Sequence, residues 1–211
     1  MIRFLLLQSA ALALMCGAAS VPVSAKTQAP AQAQGHSAAQ AGTAARTHLA
    51  ARRQSRKEAS TNSATSGAME LGKFGDWGAY MAGTGANKVC FALSQPLERL
   101  PKGLNRDPAY LFITSRPAQN VRNEVAFMLG FGLKANVDGA ATIDGHAFAL
   151  ESKDKTAFVK NAAEEPQMVQ AMRAGSKLSV RTTSLRGNVT TDSYSLSGLT
   201  KALDKVQSDC K

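Results

Sequence analysis

Hydrophobic and polar residues alternate along much of the chain after residue 67. In the segment 88–95, Val89, Phe91 and Leu93 fall on one side of an extended backbone, and Cys90 and Ala92 fall on the other. Because successive side chains of a β-strand point to opposite faces, this two-residue period predicts strands. Nine strands are predicted, at residues 77–81, 88–95, 109–115, 123–129, 141–143, 146–151, 156–160, 177–183 and 189–196.

Turn signals separate the predicted strands. Asp144 and Gly145 lie between two of them and are typical of a tight β-hairpin, and the sequence Arg186-Gly187-Asn188 serves a later pair. Closely spaced strands joined by turns predict a mainly β domain. We expect either an antiparallel β-sandwich or a partly closed barrel, with two short helices, one of them C-terminal.

The first predicted helix begins at Glu164 and Glu165, has Pro166 in its first turn and ends at Gly175. Acidic residues and proline suit a helix N-terminus, and glycine suits the position after its C-terminus. The side chains that this helix is expected to bury are Met168, Val169 and Met172.

The second predicted helix is C-terminal and has the better-defined apolar face. Ser197 is expected to cap its N-terminus, because a serine hydroxyl can accept a hydrogen bond from an unpaired helical N–H group. The residues on its apolar face, at helical spacing, are Leu199, Ala202, Leu203, Val206 and Cys210.

The start of the chain has the pattern of a secretion signal. Arg3 precedes an uncharged, largely apolar run, and Val23-Ser24-Ala25 places small residues where a signal peptidase cleaves. We therefore predict a signal peptide at residues 1–25. The alternative is a transmembrane anchor, since the run approaches the ~20 residues that a span needs, but several polar residues dilute it. After cleavage no transmembrane span is expected.

Residues 26–66 differ in composition from the rest of the chain. They are rich in alanine, glutamine, serine and threonine, and Leu49 is their single large apolar residue. Such a segment buries too little surface to offset the entropy of ordering it, so a disordered tether is predicted there. Residues 67–211 are then long enough for one domain.

Charge is concentrated in this predicted tether. Residues 26–66 contain six basic residues and one acidic residue, within a chain of net charge +10. The run Arg52, Arg53, Arg56 and Lys57 is a candidate for binding an anionic surface such as lipid, cell-wall polymer or nucleic acid. The alternative is a solvated basic linker. No aromatic residues interleave with the charges, which argues against a specific nucleic-acid site.

Residues 67–211 contain few signs of catalytic chemistry. Their single histidine is His146, and the sequence has no His-Glu-x-x-His, Cys-x-x-Cys or acidic calcium loop, so no metal or other cofactor is expected. The glycine-rich segments 83–88 and 130–132 are interpreted as a hairpin turn and a bend. The carboxylates that the sequence cannot pair into an acid–base couple are Asp107, Glu124, Asp138, Asp144 and Glu151.

The segment 74–210 resembles the invasion-associated locus B family of exported bacterial proteins. The stretches that carry the resemblance are Phe74-Gly75-Asp76-Trp77, Val89-Cys90, Ile143-Asp144-Gly145, residues 169–176, and the closing block at 183–187, 191–199, 202–203 and Cys210. The resemblance implies a β-rich periplasmic or surface module, linked by the family name to host-cell invasion. Many members of the family carry additional cysteines near the first strand and mid-domain. This chain has none at Tyr80-Met81 or around residues 152–156, so the resemblance implies a single disulfide.

A disulfide between Cys90 and Cys210 also fits the predicted export. Cleavage removes Cys16 and leaves these two cysteines in a compartment where disulfides persist. The alternatives are two free buried thiols or a bridge between two chains.

The leading functional hypothesis is a non-enzymatic binding module of the bacterial envelope, periplasmic or on the outer surface. Its partner would be an envelope or host-surface component, with an anionic one as the first candidate. The alternatives are an envelope hydrolase with a cryptic carboxylate site, or a structural or stress factor of the envelope. The sequence names no ligand and no oligomeric state.

Overall fold

The computed structural model describes residues 64–211. The predicted signal peptide at residues 1–25 and the basic run at residues 52–57 lie outside this part of the chain. Within it, the strands are β1 Met69–Phe74, β2 Trp77–Ala82, β3 Val89–Ser94, β4 Glu98–Leu100, β5 Tyr110–Arg116, β6 Val121–Met128, β7 Gly139–Ile143, β8 His146–Lys153, β9 Thr156–Val159, β10 Lys177–Thr183 and β11 Val189–Ser195. The helices are α1 Glu165–Ala174 and α2 Leu199–Asp209.

The eleven strands of this region form one antiparallel sheet. Its strand order is β1-β2-β3-β5-β6-β9-β8-β7-β10-β11-β4, and the two end strands do not pair with each other. The sheet is nevertheless strongly curved, so that β2 and β11, near its opposite ends, lie close together. The indole Nε1 of Trp77 in β2 donates a hydrogen bond of 3.0 Å to the carbonyl oxygen of Ser195 in β11. The prediction of a mainly antiparallel β fold with two helices, one C-terminal, is confirmed.

The hairpin predicted at Asp144 and Gly145 is confirmed. Ile143 of β7 pairs directly with His146 of β8, so the loop contains two residues. Both have a positive φ, 44° at Asp144 and 96° at Gly145. This is the geometry of the primed turns whose twist matches that of the flanking strands, and it explains the preference for aspartate and glycine here.

The main core lies between the inner face of the sheet and the two helices. Met168, Val169 and Met172 of α1 are buried in it, as the sequence predicted. The α2 residues Leu199, Ala202, Leu203 and Val206 are also buried, and α2 packs against β1, β2 and β3.

The predicted cap of α2 is wrong. The residue that precedes the helix is Gly198, with φ of 92°, and no side chain caps the N-terminus. A β-carbon at Gly198 would collide with the carbonyl oxygen of Phe74, and the carbonyl oxygen of Ser197 accepts a bond from the Asp76 amide. The helix entry is therefore fixed by close backbone contact with the turn after β1, which leaves the Ser197 hydroxyl no capping role.

Cys90 and Cys210 form a disulfide in the structure. Their Cα atoms are 5.9 Å apart, and 120 residues separate them in sequence. Cys90 is fully buried on the inner face of β3, and Cys210 follows directly after α2. The bond therefore joins the residue that follows α2 to β3 of the sheet.

Candidate ligand-binding cleft

A cleft of about 390 Å³ opens where several loops meet at one end of the sheet. Its walls come from residues 104–107 between β4 and β5, residues 130–132 after β6, and residues 184–188 between β10 and β11. Lys155, from the turn between β8 and β9, completes the rim. The volume lies within the range of about 300–1,000 Å³ that is usual for small-ligand sites.

A buried ion-pair cluster lies beside this cleft. Both oxygens of the Asp192 carboxylate are paired, Oδ2 with Arg99 Nε at 3.0 Å and Oδ1 with Arg106 Nη1 at 3.2 Å. The side chain of Asp192 is only 2% exposed and that of Arg106 only 7%. We refer to Arg99, Asp192 and Arg106 as the charge triad.

The two arginines of the charge triad also bind backbone carbonyl groups of the surrounding loops. Arg99 donates to the carbonyl oxygens of Asp107, at 2.8 Å, and Leu129, at 2.6 Å. Arg106 donates to the carbonyl oxygen of Pro101 at 3.2 Å. The triad thus fixes the walls of the cleft to β11, on which Asp192 lies.

Burial and charge act against each other within the charge triad. The pKa of Asp192 is raised by its burial, and the neighbouring Arg99 and Arg106 guanidinium groups oppose that rise. The pKa of Arg106 is lowered, first by burial and then by the nearby Arg99. Buried charges are stable only when they are paired and hydrogen-bonded, and every member of the triad meets that condition.

The rim of the cleft combines apolar and cationic groups. Leu185 is 70% exposed at the β10–β11 turn, and its side chain packs over Gly132. Lys155 forms an exposed ion pair of 3.2 Å with Asp107, and Arg186 lies beside Leu185. The cleft therefore offers a hydrophobic contact next to an excess of positive charge.

Comparisons with known proteins identify the family of the chain. The model of the invasion associated locus B (IalB) protein family matches residues 84–207, more than half of the 211 residues. The chain belongs to the IalB family. Among solved structures, the crystal structure of invasion associated protein B from Bartonella henselae is similar, with 17% identity and a TM-score of 0.46 over 66% of this chain and 96% of that chain. No curated protein matches the chain.

IalB membership agrees with the resemblance found in the sequence, and it places the chain in a family of exported bacterial proteins. Within residues 64–211, no helix is both long enough and apolar enough to cross a bilayer. No group of three potential metal-binding side chains occurs in the same region.

The glycine segment 130–132 lies in the cleft of this IalB protein. A β-carbon at Gly130, where φ is 72°, would collide with the carbonyl oxygen of Asp107. The bend predicted for this segment is present, and the close approach of two loops explains the glycine. The other glycine segment, at residues 83–88, joins the antiparallel strands β2 and β3, as a hairpin turn does.

The dispersed carboxylates stay apart in the folded domain. Four of the five have partners that are bases or the Ser176 amide: Asp107 pairs with Lys155, Glu124 with Arg116, Asp138 with Lys160, and Asp144 with Ser176. His146 is exposed at the start of β8. The structure therefore brings none of these sequence candidates into the cleft except Asp107.

The sequence analysis missed the charge triad, although β11 contains a signal for it. Thr190, Asp192 and Tyr194 alternate along the strand and are all buried. A carboxylate on the same face as a core tyrosine requires a buried cationic partner. The pattern could have identified Asp192, but not the two arginines, which lie more than 80 residues away in sequence.

Proposed function

We propose that this IalB protein is an exported, non-enzymatic binding module of the bacterial envelope, and that the cleft beside the charge triad is its ligand site. The observation that carries the proposal is that the charge triad, a buried ion-pair cluster, holds the loops that form the cleft walls. A buried ion pair adds little net stability compared with apolar packing, so its use here is better explained by the loops that it positions.

The chemistry of the cleft favours binding over catalysis. The hydroxyl of Ser184, the residue in the cleft that most resembles a nucleophile, accepts a hydrogen bond from the Asn188 amide and is thereby engaged in the turn. Arg106, Lys155 and Arg186 line the wall with Asp107. Asp192 pairs with Arg106 and Asp107 with Lys155, whereas Arg186 forms no ion pair within residues 64–211. An acidic ligand with a small apolar part would contact both Arg186 and the exposed Leu185.

The test is a binding measurement with the mature chain and isolated envelope fractions, followed by purified cell-wall fragments, lipopolysaccharide and lipid vesicles. The double substitution L185D/R186Q should weaken saturable binding by tenfold or more, which is ~1.4 kcal/mol of binding free energy. Matched controls are M69D and R181Q, which change an exposed methionine and an exposed arginine outside the cleft. Equal binding by all variants would remove the cleft from the proposal.

The same incubations separate the alternatives. Accumulation of a cleavage product would favour the hydrolase hypothesis, and its loss in E124Q or D144N would identify the carboxylate. A deletion phenotype of the cell envelope without ligand binding would favour a structural or stress factor. The link to host-cell invasion rests on the family name and needs an invasion assay with the L185D/R186Q variant.

The basic run Arg52, Arg53, Arg56 and Lys57 is proposed as a second contact with anionic surfaces. Replacing all four residues by glutamine should reduce binding to anionic lipid vesicles at low salt. The difference should shrink as salt rises, because exposed charges are screened beyond ~8 Å at physiological ionic strength. Unchanged binding at low salt would leave the run as a plain linker.

A further inference from the structure

A second apolar cluster lies on the face of the sheet that points away from the main core. Its buried members are Tyr80 of β2, Phe91 and Leu93 of β3, and Tyr110 of β5, with the partly buried Phe112 packed against them. Four rings form a continuous row, with centroid distances of 5.4 Å from Tyr80 to Phe91, 5.7 Å from Phe91 to Phe112, and 6.0 Å from Phe112 to Tyr110. We refer to these five residues as the aromatic face.

The aromatic face is covered more completely than its own strands can achieve. Tyr80 is 4% exposed and Tyr110 is 6% exposed. Neighbouring strands shield the sides of a side chain on a sheet, but its top stays in water unless another element lies over it. In residues 64–211, the hydrophobic residues outside the sheet that pack against the cluster are Ala64 and Ala68. Two methyl groups are small beside rings that bury about 150–250 Å² each.

The path of the chain indicates where further cover comes from. Ala64 is the first described residue and it already lies against the aromatic face, so the residues before it start there. Leu49, the single large apolar residue of the predicted tether, is 15 residues earlier. Fifteen residues span roughly 22 Å as a helix and roughly 50 Å when extended, so either conformation reaches across the row of rings.

Charge around the aromatic face favours a basic segment. Glu70 of β1 lies directly opposite Tyr80, and it raises the pKa of the Tyr80 hydroxyl in addition to the larger effect of burial. On the other side, Glu124 of β6 lies opposite Thr114, but its carboxylate is already paired with Arg116, so Glu70 is the acid that favours a cation here. Arginine and lysine bind both carboxylates and the faces of aromatic rings. Residues 52–57 supply four such cations within the reach of the row.

We propose that residues 49–63 of the same chain pack across the aromatic face, with Leu49 on the rings and the basic run beside them. The basic run is then held against the domain, and the free part of the tether shortens to residues 26–48. This proposal is independent of the ligand cleft. It involves the face of β2, β3 and β5 that points away from the main core, and no residue of the cleft wall.

Paramagnetic broadening in NMR spectra of the mature, disulfide-bonded chain tests the proposal. A nitroxide on S55C should remove most of the intensity of the amide signals of Phe91, Tyr110 and Phe112, while a nitroxide on T27C should leave them nearly intact. Adding L49D to the S55C chain should restore those signals, because a charged side chain would leave the rings. The matched substitution Q32D, also in residues 26–66, should not restore them.

A mixture of isotope-labelled chain without nitroxide and unlabelled S55C chain with nitroxide identifies the source of the cover. No broadening in this mixture supports docking within one chain. Broadening that appears there equally would assign the aromatic face to a second copy and overturn the proposal. Equal broadening of Phe91 and of the cleft residue Arg186 in the S55C chain would also overturn it, since it indicates a segment without a fixed position.

Discussion

Asp192 is a charged residue at a position where the alternation of β11 calls for an apolar one. Its burial is tolerated because both carboxylate oxygens are paired with guanidinium groups. Removing the acid would leave two arginines next to each other, and Arg99 already disfavours the charge on Arg106. The triad is therefore sensitive to the loss of one member, even though its net contribution to stability is small.

We expect D192N to lower the free energy of unfolding by ~3–5 kcal/mol, the usual cost of breaking a buried pair. Urea unfolding of the purified protein measures it. The control is D204N, which breaks the 2.8 Å bridge between Asp204 and Arg173, where the aspartate side chain is 61% exposed. Because exposed bridges contribute ~0–1 kcal/mol, equal losses in the two variants would contradict a structural role for the triad.

Tyr194 provides a prediction of the opposite sign. It is fully buried, and in the described part of the chain its hydroxyl has no hydrogen-bond partner. A buried hydroxyl without a partner costs ~1–3 kcal/mol, so Y194F should raise the free energy of unfolding by about 1 kcal/mol. The control is Y110F, which removes the hydroxyl of another buried tyrosine, on the aromatic face. Urea unfolding in which Y194F is clearly destabilised would show that the hydroxyl is satisfied.

Asp144 gives a pH-dependent prediction. The pKa of its carboxyl is lowered, first by the hydrogen bond of 2.9 Å from the Ser176 amide and also by the Ser176 hydroxyl at 3.2 Å. A lowered pKa in the folded state stabilises the fold above the ordinary aspartate pKa, and that stability is lost as the pH falls through the folded value.

The destabilisation of D144N should accordingly be present at pH 7 and shrink below about pH 4, near the ordinary aspartate pKa. Asparagine tolerates the positive φ of 44°, so the turn itself is preserved. D154N is the control, because it changes the same kind of turn residue, with φ of 53°, in the next hairpin. Thermal unfolding from pH 2.5 to 7 measures both, and a pH-independent difference for D144N would contradict the role of its charge.

At the scale of elements, the nine strands predicted from alternation are all present, because each buries one face against the core. The two that were missed lack that signal. β1 contains Gly72 and has no fully buried residue, and β4 has only three residues, Glu98–Leu100. Both are end strands of the sheet, whose formation depends on a neighbouring strand more than on their own sequence.

The helix faces were predictable for the same reason, whereas the start of α2 was not. The sequence Ser197-Gly198 contains a residue suited to capping, and only the three-dimensional contact with Phe74 shows that the glycine decides the geometry. The charge triad was missed for a related reason. It depends on loops that come together from distant parts of the chain, and local patterns do not record such contacts.

The close backbone contact at Gly198 can be tested by substitution. G198A should destabilise the domain by more than the ~1 kcal/mol that a positive φ alone costs, because the added carbon would displace the turn after β1. G103A is the control, since Gly103 has φ of 85° and open space around it. Thermal unfolding compares the two variants, and equal losses would show that the backbone at Phe74 can move without cost.

At the scale of the whole molecule, the fold depends on joining its C-terminal helix to the sheet. The apolar face of α2, the bond from Lys88 Nζ to the Asp209 carbonyl oxygen at 2.6 Å, and the disulfide all act at this junction. The disulfide acts mainly on the unfolded chain. In the chain-entropy model, closing a loop of this length contributes ~4–5 kcal/mol, a large share of the ~5–15 kcal/mol that typically stabilises a domain.

The double variant C90A/C210A should therefore lose up to about 4–5 kcal/mol of unfolding free energy relative to the oxidised chain, as measured by urea unfolding. Reductant should destabilise the parent chain and leave the double variant unchanged, which serves as the control. Intact mass of the purified protein after alkylation without reductant should show no adduct. Two adducts per monomer, or a dimer that reductant dissolves, would rule out the bond within one chain. In that case α2 would be held to the sheet by its apolar face, the backbone contact at Gly198 and the bond from Lys88.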